Sequence, residues 1–279
     1  MKKPPRYLYK YMNKRLDRIG DVLVNRRLHF ADPVRFNDPF DCALGLDLRR
    51  GATIQNWEDY FSHLVEVEEP KSTPEDRQAK AEDNVRRGRH TDPAFVDEAE
   101  KGIRRAVKEV GREQGVLSLS SDPRNVMMWA HYAANHEGLV LRFDTRHMGD
   151  QASGELRCFR VEYGLSFPRL PDYLTALRTF ENGDMRAFAE LYFCRKSRDW
   201  KYENEWRFFA GKPDTFVVFE PPMLSGVIFG WKMPESTRQM VASWTTALAT
   251  PPKLFQAEPC PDRFRMKITK MPMGAQPSH

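Results

Sequence analysis

The sequence predicts an α+β fold, on three observations. Short alternating apolar segments and amphipathic helical segments mix along its 279 residues without a regular strand–helix alternation. Neither GxGxxG nor a Walker A motif occurs, which removes the common phosphate loops and disfavours a doubly wound nucleotide fold. A composition of 41% hydrophobic, 30% charged and 12% aromatic residues lies far from that of a disordered chain and can fill a real core.

The elements follow in order. Tyr7–Tyr11 (YLYKY) alternates as a strand. Asn13 is placed to cap a helix through Arg27, with Leu16, Ile19, Leu23 and Val24 at helical spacing. Leu28–Phe30 returns as a strand, and Phe36–Asp41 (FNDPFD) reads as a turn of Asn, Asp and Pro between aromatics. Residues 52–92 are polar, charged and interrupted by Pro70 and Pro74, which predicts a helical excursion. Phe95, Ala99, Ile103, Ala106 and Val110 then make one helix face, stopped by Gly111 or Gly115. Residues 52–115 are thus a mainly helical, charged insertion within one α+β domain spanning 1–279.

Val116–Ser120 alternates as a strand. Asp122-Pro123 supplies a cap and first-turn proline for a helix through Ala133, with Met127 and Ala130 towards the core. Gly138 closes that unit, and Leu139–Phe143 and Leu156–Tyr163 read as strands. Residues 171–197 are mostly helical. Strands at 202–210, 215–220 and 226–230, a helix at 234–248 and strands at 253–257 and 263–269 complete the chain.

Net charge is +5 but uneven. Residues 1–50 hold twelve Lys/Arg against six Asp, and residues 55–100 hold six against thirteen Asp/Glu. Such asymmetry can separate a phosphate-attracting face from a solvated one. No run approaches the roughly 18 apolar residues that cross a bilayer, so no membrane is expected. Lys2 and Lys3 precede no apolar run, which argues against a secretion signal. Four scattered cysteines without a CxxC pair point to a reducing cytoplasm. Seven scattered His, with no HxH and no HExxH, lead to the expectation of no metal.

Several groups can carry chemistry. In a strand, Glu203-Asn204-Glu205 would present two carboxylates on one face, about 7 Å apart. Trp200, Tyr202, Trp206, Phe208 and Phe209 surround them, and desolvation raises a carboxyl pKa towards general acid or base work. Ser118 and Ser120 likewise share a face, beside a helix N-terminus that attracts anions. Trp129, His131 and Tyr132 cannot all face inwards on one helix, so some can stack on a ligand. Lys10, between Tyr9 and Tyr11, can hold a phosphate beside their rings. Asp38 and Asp41 with the two glutamates would be the magnesium ligands of a nuclease reading. No serine lies in GxSxG, and no cysteine has a His partner by spacing.

The set LYKY (Leu8–Tyr11), FNDPFD (Phe36–Asp41), Ser118–Asp144 and WKYENEWR (Trp200–Arg207) resembles a bacterial family, domain of unknown function twenty-nine seventy-one. A second resemblance is to mono-ADP-ribosyltransferases. These carry, in order, an Arg or His on the first strand, a Ser-Thr-Ser strand and a later Glu-x-Glu. Here YLYKY, Ser118-Leu119-Ser120 and Glu203-Asn204-Glu205 stand in that order. The resemblance implies an ADP-ribosyltransferase-like split β-sheet core with a helical insertion, and NAD as substrate. It makes Glu205 the catalytic glutamate and Glu203 the residue that orients the acceptor. Ser118 and Ser120 would shape the NAD site, and Lys10 would replace the first-strand cation. Tyr9, Tyr11, Asn37, Trp129, His131 and Tyr132 are the further candidate NAD contacts. The acceptor would be a protein or a nucleic acid, in the setting of a bacterial toxin or phage-defence effector. The alternative is a non-enzymatic nucleotide- or nucleic-acid-binding module on the same fold. Two departures stand out: no Arg or His lies in the first strand, and Leu119 replaces the central Thr.

Overall fold

The computed structural model describes residues 3–42, 46–148, 158–181 and 185–272. Strands are β1 (Tyr7–Met12), β2 (Arg27–Phe30), β3 (Gly115–Ser120), β4 (Leu139–Asp144), β5 (Cys158–Arg160), β6 (Glu162–Gly164), β7 (Arg195–Ser197), β8 (Glu205–Ala210), β9 (Thr215–Val218), β10 (Leu224–Phe229), β11 (Lys253–Pro259) and β12 (Met266–Lys270). Helices are α1 (Leu16–Leu23), α2 (Ile54–Glu68), α3 (Pro74–Arg86), α4 (Pro93–Gly111), α5 (Val126–Tyr132), α6 (Leu170–Glu181), α7 (Met185–Phe193) and α8 (Glu235–Thr246). The fold is α+β. The chain divides into two compact units, the first formed by residues 1–33, 114–161 and 199–279, the second by 34–113 and 162–198.

The first unit carries a mixed sheet in the order β12-β11-β10-β4-β1-β3-β8-β5. Neighbours run antiparallel except β10 and β11, which are parallel. β1 therefore lies between β4 and β3, and β3 between β1 and β8. Alternation sends Leu8 and Met12, with Leu117, Leu119, Leu141, Phe143, Trp206 and Phe208, to one face. Ile19 and Leu23 of α1 and Val241 of α8 cover that face. Each large side chain so enclosed contributes about 1.5–3 kcal/mol of burial. On the opposite face, Trp129 and Ala133 of the α5 segment pack with Val140, Ile228, Ala257 and Met266, against which Tyr9 and Tyr11 lie.

Local chemistry moved several predicted boundaries. The Asn13 side chain accepts the Arg15 N–H as a short turn, so α1 starts only at Leu16 and ends at Leu23. The Asp122 carboxylate accepts the Arg124 N–H, and it is Asn125 that caps α5, accepting from the N–H groups of Met127 and Met128. That shift turns the helix. Met128 and Trp129 are buried, whereas Met127 is exposed and Ala130 half-buried. Among the described side chains of α4, Val96 and Ile103 are buried and Ala106 faces solvent. The Val110 side chain lies outside the described set. The strand predicted at 156–163 is two strands, because the Val161 N–H bonds Glu205 while the Glu162 N–H bonds Cys194. Its first two residues, 156 and 157, lie outside the described residues.

The second unit holds the predicted helical segment. Thr53 caps α2 in a reciprocal box with Asn56, and Thr73 caps α3 with Pro74 in its first turn. Helices α6 and α7 and the parallel pair β6–β7 belong to the same unit. Asp41 and Lys196 form a buried ion pair at 3.3 Å within it. Among the described residues, no helix is long and apolar enough to cross a membrane.

Candidate functional site

The register of three strands builds the site. Tyr9 on β1 pairs with Ser120 on β3, and Ser120 pairs with Glu205 on β8. On its other side Tyr9 pairs with Arg142 on β4. Cross-strand partners share a sheet face, so Arg142, Tyr9, Ser120 and Glu205 form one lateral row from segments that are remote in sequence.

Each member is held. The Arg142 guanidinium lies 4.6 Å from the ring centres of Tyr7 and Phe255, and its Nε and Nη2 donate to the Ser225 hydroxyl and carbonyl at 3.0 and 2.8 Å. Burial raises the Tyr9 pKa, and the charges of Arg142 and Arg124 pull it back. The Ser120 hydroxyl donates to the Glu203 carbonyl at 2.6 Å. Glu205 is buried and bridged by the fully buried Arg207, at 2.8 Å from Nε to Oε1 and 3.0 Å from Nη2 to Oε2. Arg207 lies two positions along the same strand, and that spacing was the readable sign of a shared face.

Glu203 and Glu205 do not lie on one strand. Residues Arg198–Glu203 form a 3-10 turn, and Asn204 sits in the left-handed region at φ 45°, a conformation its short amide side chain tolerates. The Ser121 N–H and hydroxyl both donate to the Asn204 carbonyl, at 3.0 and 3.1 Å, and anchor the bend to the end of β3. The strand starts only at Glu205. Glu203 is buried and instead accepts the Tyr132 hydroxyl at 2.5 Å.

Of the other predicted residues, Tyr11 donates its hydroxyl to the Asp122 carbonyl at 2.7 Å and meets Trp129 edge-on at 5.5 Å. Trp129 is fully buried and donates Nε1–H to the Pro123 carbonyl, so its ring serves the core. His131 is exposed, with Nδ1 3.1 Å from the Tyr202 hydroxyl. Ser118 pairs with Arg207 across β3 and β8. Asn37, Asp38 and Asp41 belong to the second unit, where Lys196 faces Asp41. Among the described residues, no three His, Cys, Asp or Glu side chains gather as metal ligands would. Sequence reasoning missed Arg142, Arg207 and Tyr202 as site residues. The polar position in the strand pattern LVLRF was the only signal for Arg142.

Lys10 alternates to the face of Leu8 and Met12, away from the row. Burial lowers its pKa to about 8, against the upward pull of Glu205. Between about pH 8 and its unfolded value near 10.4, the unfolded chain binds more protons. Stability therefore rises with pH across that window, and the penalty for burying the charge is complete below it. Lys10→Met is expected to be more stable than the native chain at pH 7, with the advantage shrinking as pH climbs from 8 to 10. Urea unfolding midpoints at several pH values check this; a pH-independent difference would contradict it.

An α+β unit with one polar row across four adjacent strands is the class that fold and site define. Residues 128–208 match the family model described as Protein of unknown function (DUF2971). The match contains α5 from Met128 onward, β4, Glu203, Glu205 and Arg207. LYKY, FNDPFD and the Ser118–Ser120 strand lie outside it. No curated protein and no solved structure matches the chain.

Proposed function

We propose that the first unit is an NAD-consuming ADP-ribosyltransferase domain. The observation that carries this reading is the register Tyr9–Ser120–Glu205, which joins three remote segments into one row on neighbouring strands. Cleaving the nicotinamide–ribose bond develops an oxocarbenium-like positive charge, as in glycoside cleavage. A fixed carboxylate beside the ribose stabilises that charge. Glu205 is the carboxylate in this reading, and Tyr9 and Tyr11 offer rings. The cation expected of Lys10 comes instead from Arg142, in register with Tyr9, and from exposed Arg124, with pyrophosphate as their partner. Glu203, held by Tyr132, positions the acceptor.

A second reading, a non-enzymatic nucleotide-binding module, draws on the bidentate Glu205–Arg207 bridge, which engages both carboxylate oxygens. The two separate cleanly. NAD labelled on its adenine-side phosphate is incubated with the protein and a bacterial lysate, wild type beside Glu205→Gln. Label entering macromolecules only with wild type is the expected result. Free ADP-ribose alone would make the domain a glycohydrolase, and intact NAD in both samples would favour the binding module.

A further inference from the structure

The turn joining β11 to β12 is ordered by its own backbone. The Cys260 N–H bonds the Arg265 carbonyl at 3.0 Å, and the Arg265 N–H bonds that of Arg263 at 2.8 Å. Nothing in this closure uses Phe264, whose side chain is 108% exposed. A phenyl ring held wholly in water by an ordered turn adds no burial to the fold. It is flanked by exposed Arg263 and Arg265, with exposed Lys267 and Lys270 on β12, against two acids of the same hairpin, Asp262 and Glu258.

A second aromatic stands at the same end of the sheet. β10 and β11 run parallel, so the segment after β10 and the turn after β11 emerge together. That segment presents Trp231, 43% exposed, with the Lys232 ammonium 5.1 Å from its ring centre. The hairpin also adjoins the site. The Met266 N–H, one residue past the turn, bonds the Arg124 carbonyl at 2.9 Å, and Met266 packs in the cluster against which Tyr9 and Tyr11 lie.

Exposed rings interleaved with cations are the means by which single-stranded nucleic acid is held: bases stack on the rings and phosphates meet the charges. We propose that the β11–β12 turn, with Trp231 and Lys232, docks single-stranded nucleic acid, which is the acceptor of the ADP-ribosyl group. The docking half stands alone; the acceptor half rests on the transferase reading. In the transfer, an acceptor atom bonds to C1′ of the nicotinamide ribose as the C1′–N bond breaks. The bonding pair leaves with nicotinamide, and the acceptor proton passes to water.

The test is fluorescence anisotropy of labelled oligothymidylate, oligouridylate and a DNA duplex, each about 15 nucleotides long, with the full chain. Binding of one or both single strands ahead of the duplex is expected, and the two arms decide between DNA and RNA. Phe264→Ala is expected to weaken binding about tenfold, whereas Phe264→Trp retains it. Arg263→Gln with Arg265→Gln should lower the salt dependence by roughly one unit of log–log slope. Equal affinities for wild type and Phe264→Ala, or preference for duplex, would overturn the docking site. Oligonucleotide is then added to the labelled-NAD assay. Label entering it supports the acceptor assignment; label entering only protein removes that assignment while leaving the transferase reading intact. Phe264-dependent binding with NAD untouched would leave the docking site standing and remove the transferase reading.

Discussion

Glu205→Gln is expected to lower NAD turnover by about 10²–10³-fold, the range lost when a single preorganised electrostatic group is removed from a transition state. The substitution also acts on the fold, because Arg207 is fully buried and is bridged twice by the Glu205 carboxylate. Removing one partner of a buried ion pair costs about 3–5 kcal/mol. The amide oxygen of Gln still accepts one hydrogen bond, which places this variant near the lower end. Loss of activity in Glu205→Gln alone therefore mixes chemistry with stability. Glu205→Leu combined with Arg207→Met removes both charges, and such apolar replacements are often neutral or stabilising. Its urea midpoint should return to near the native value while turnover stays lost. If turnover returned with the midpoint, Glu205 would be a structural group and the reaction would use another residue.

The α+β class and most elements were legible because strand and helix periods differ and the chain breaks between them with Pro, Gly and Asn. The helical content of 52–115 followed from composition and prolines in the same way. What the sequence did not reveal depended on bonds between remote segments. Asn204 enters the left-handed region, with Ser121 of another strand end holding its carbonyl, and this separates two glutamates that alternation alone would align. The cap of α5 moved from Asp122 to Asn125 because the Asp122 carboxylate is engaged by the Arg124 N–H. The three strands of the candidate site were each readable, yet their adjacency and register were not. Hence Lys10, which lies next to the right tyrosines in sequence, alternates to the wrong face, and Arg142 from β4 stands in line with Tyr9. Two compact units are a property of tertiary contacts, and no single linker of distinctive composition marks where the chain passes between them.

Gly230→Ala is expected to destabilise the first unit by about 3 kcal/mol or more, at or above the usual range for overpacking. A Cβ built there would lie 2.1 Å from the His136 carbonyl oxygen and 2.6 Å from that of Gly138. Both neighbours are main chain, so no side-chain rotation can relieve the clash. The approach is close because the Gly230 N–H bonds the Gly138 carbonyl at 2.9 Å and the Lys232 N–H bonds that of His136 at 3.1 Å. Those bonds fasten the end of β10 to the loop between α5 and β4. In that loop Ala134, Asn135 and His136 all have positive φ, a run of left-handed residues that needs such external support. Gly211→Ala is the matched control: a Cβ there meets nothing within 4 Å, so it should be neutral or gain about 0.4–1 kcal/mol through the unfolded chain. Urea midpoints of the two variants against wild type check the contrast. Because the same loop anchors the C-terminal end of α5, the Tyr132–Glu203 hydrogen bond should weaken in Gly230→Ala under conditions where the chain is still folded. Equal midpoints for the two variants would show instead that the loop can withdraw from β10 at little cost, and that α5 is positioned by the packing of Trp129 and Met128 alone.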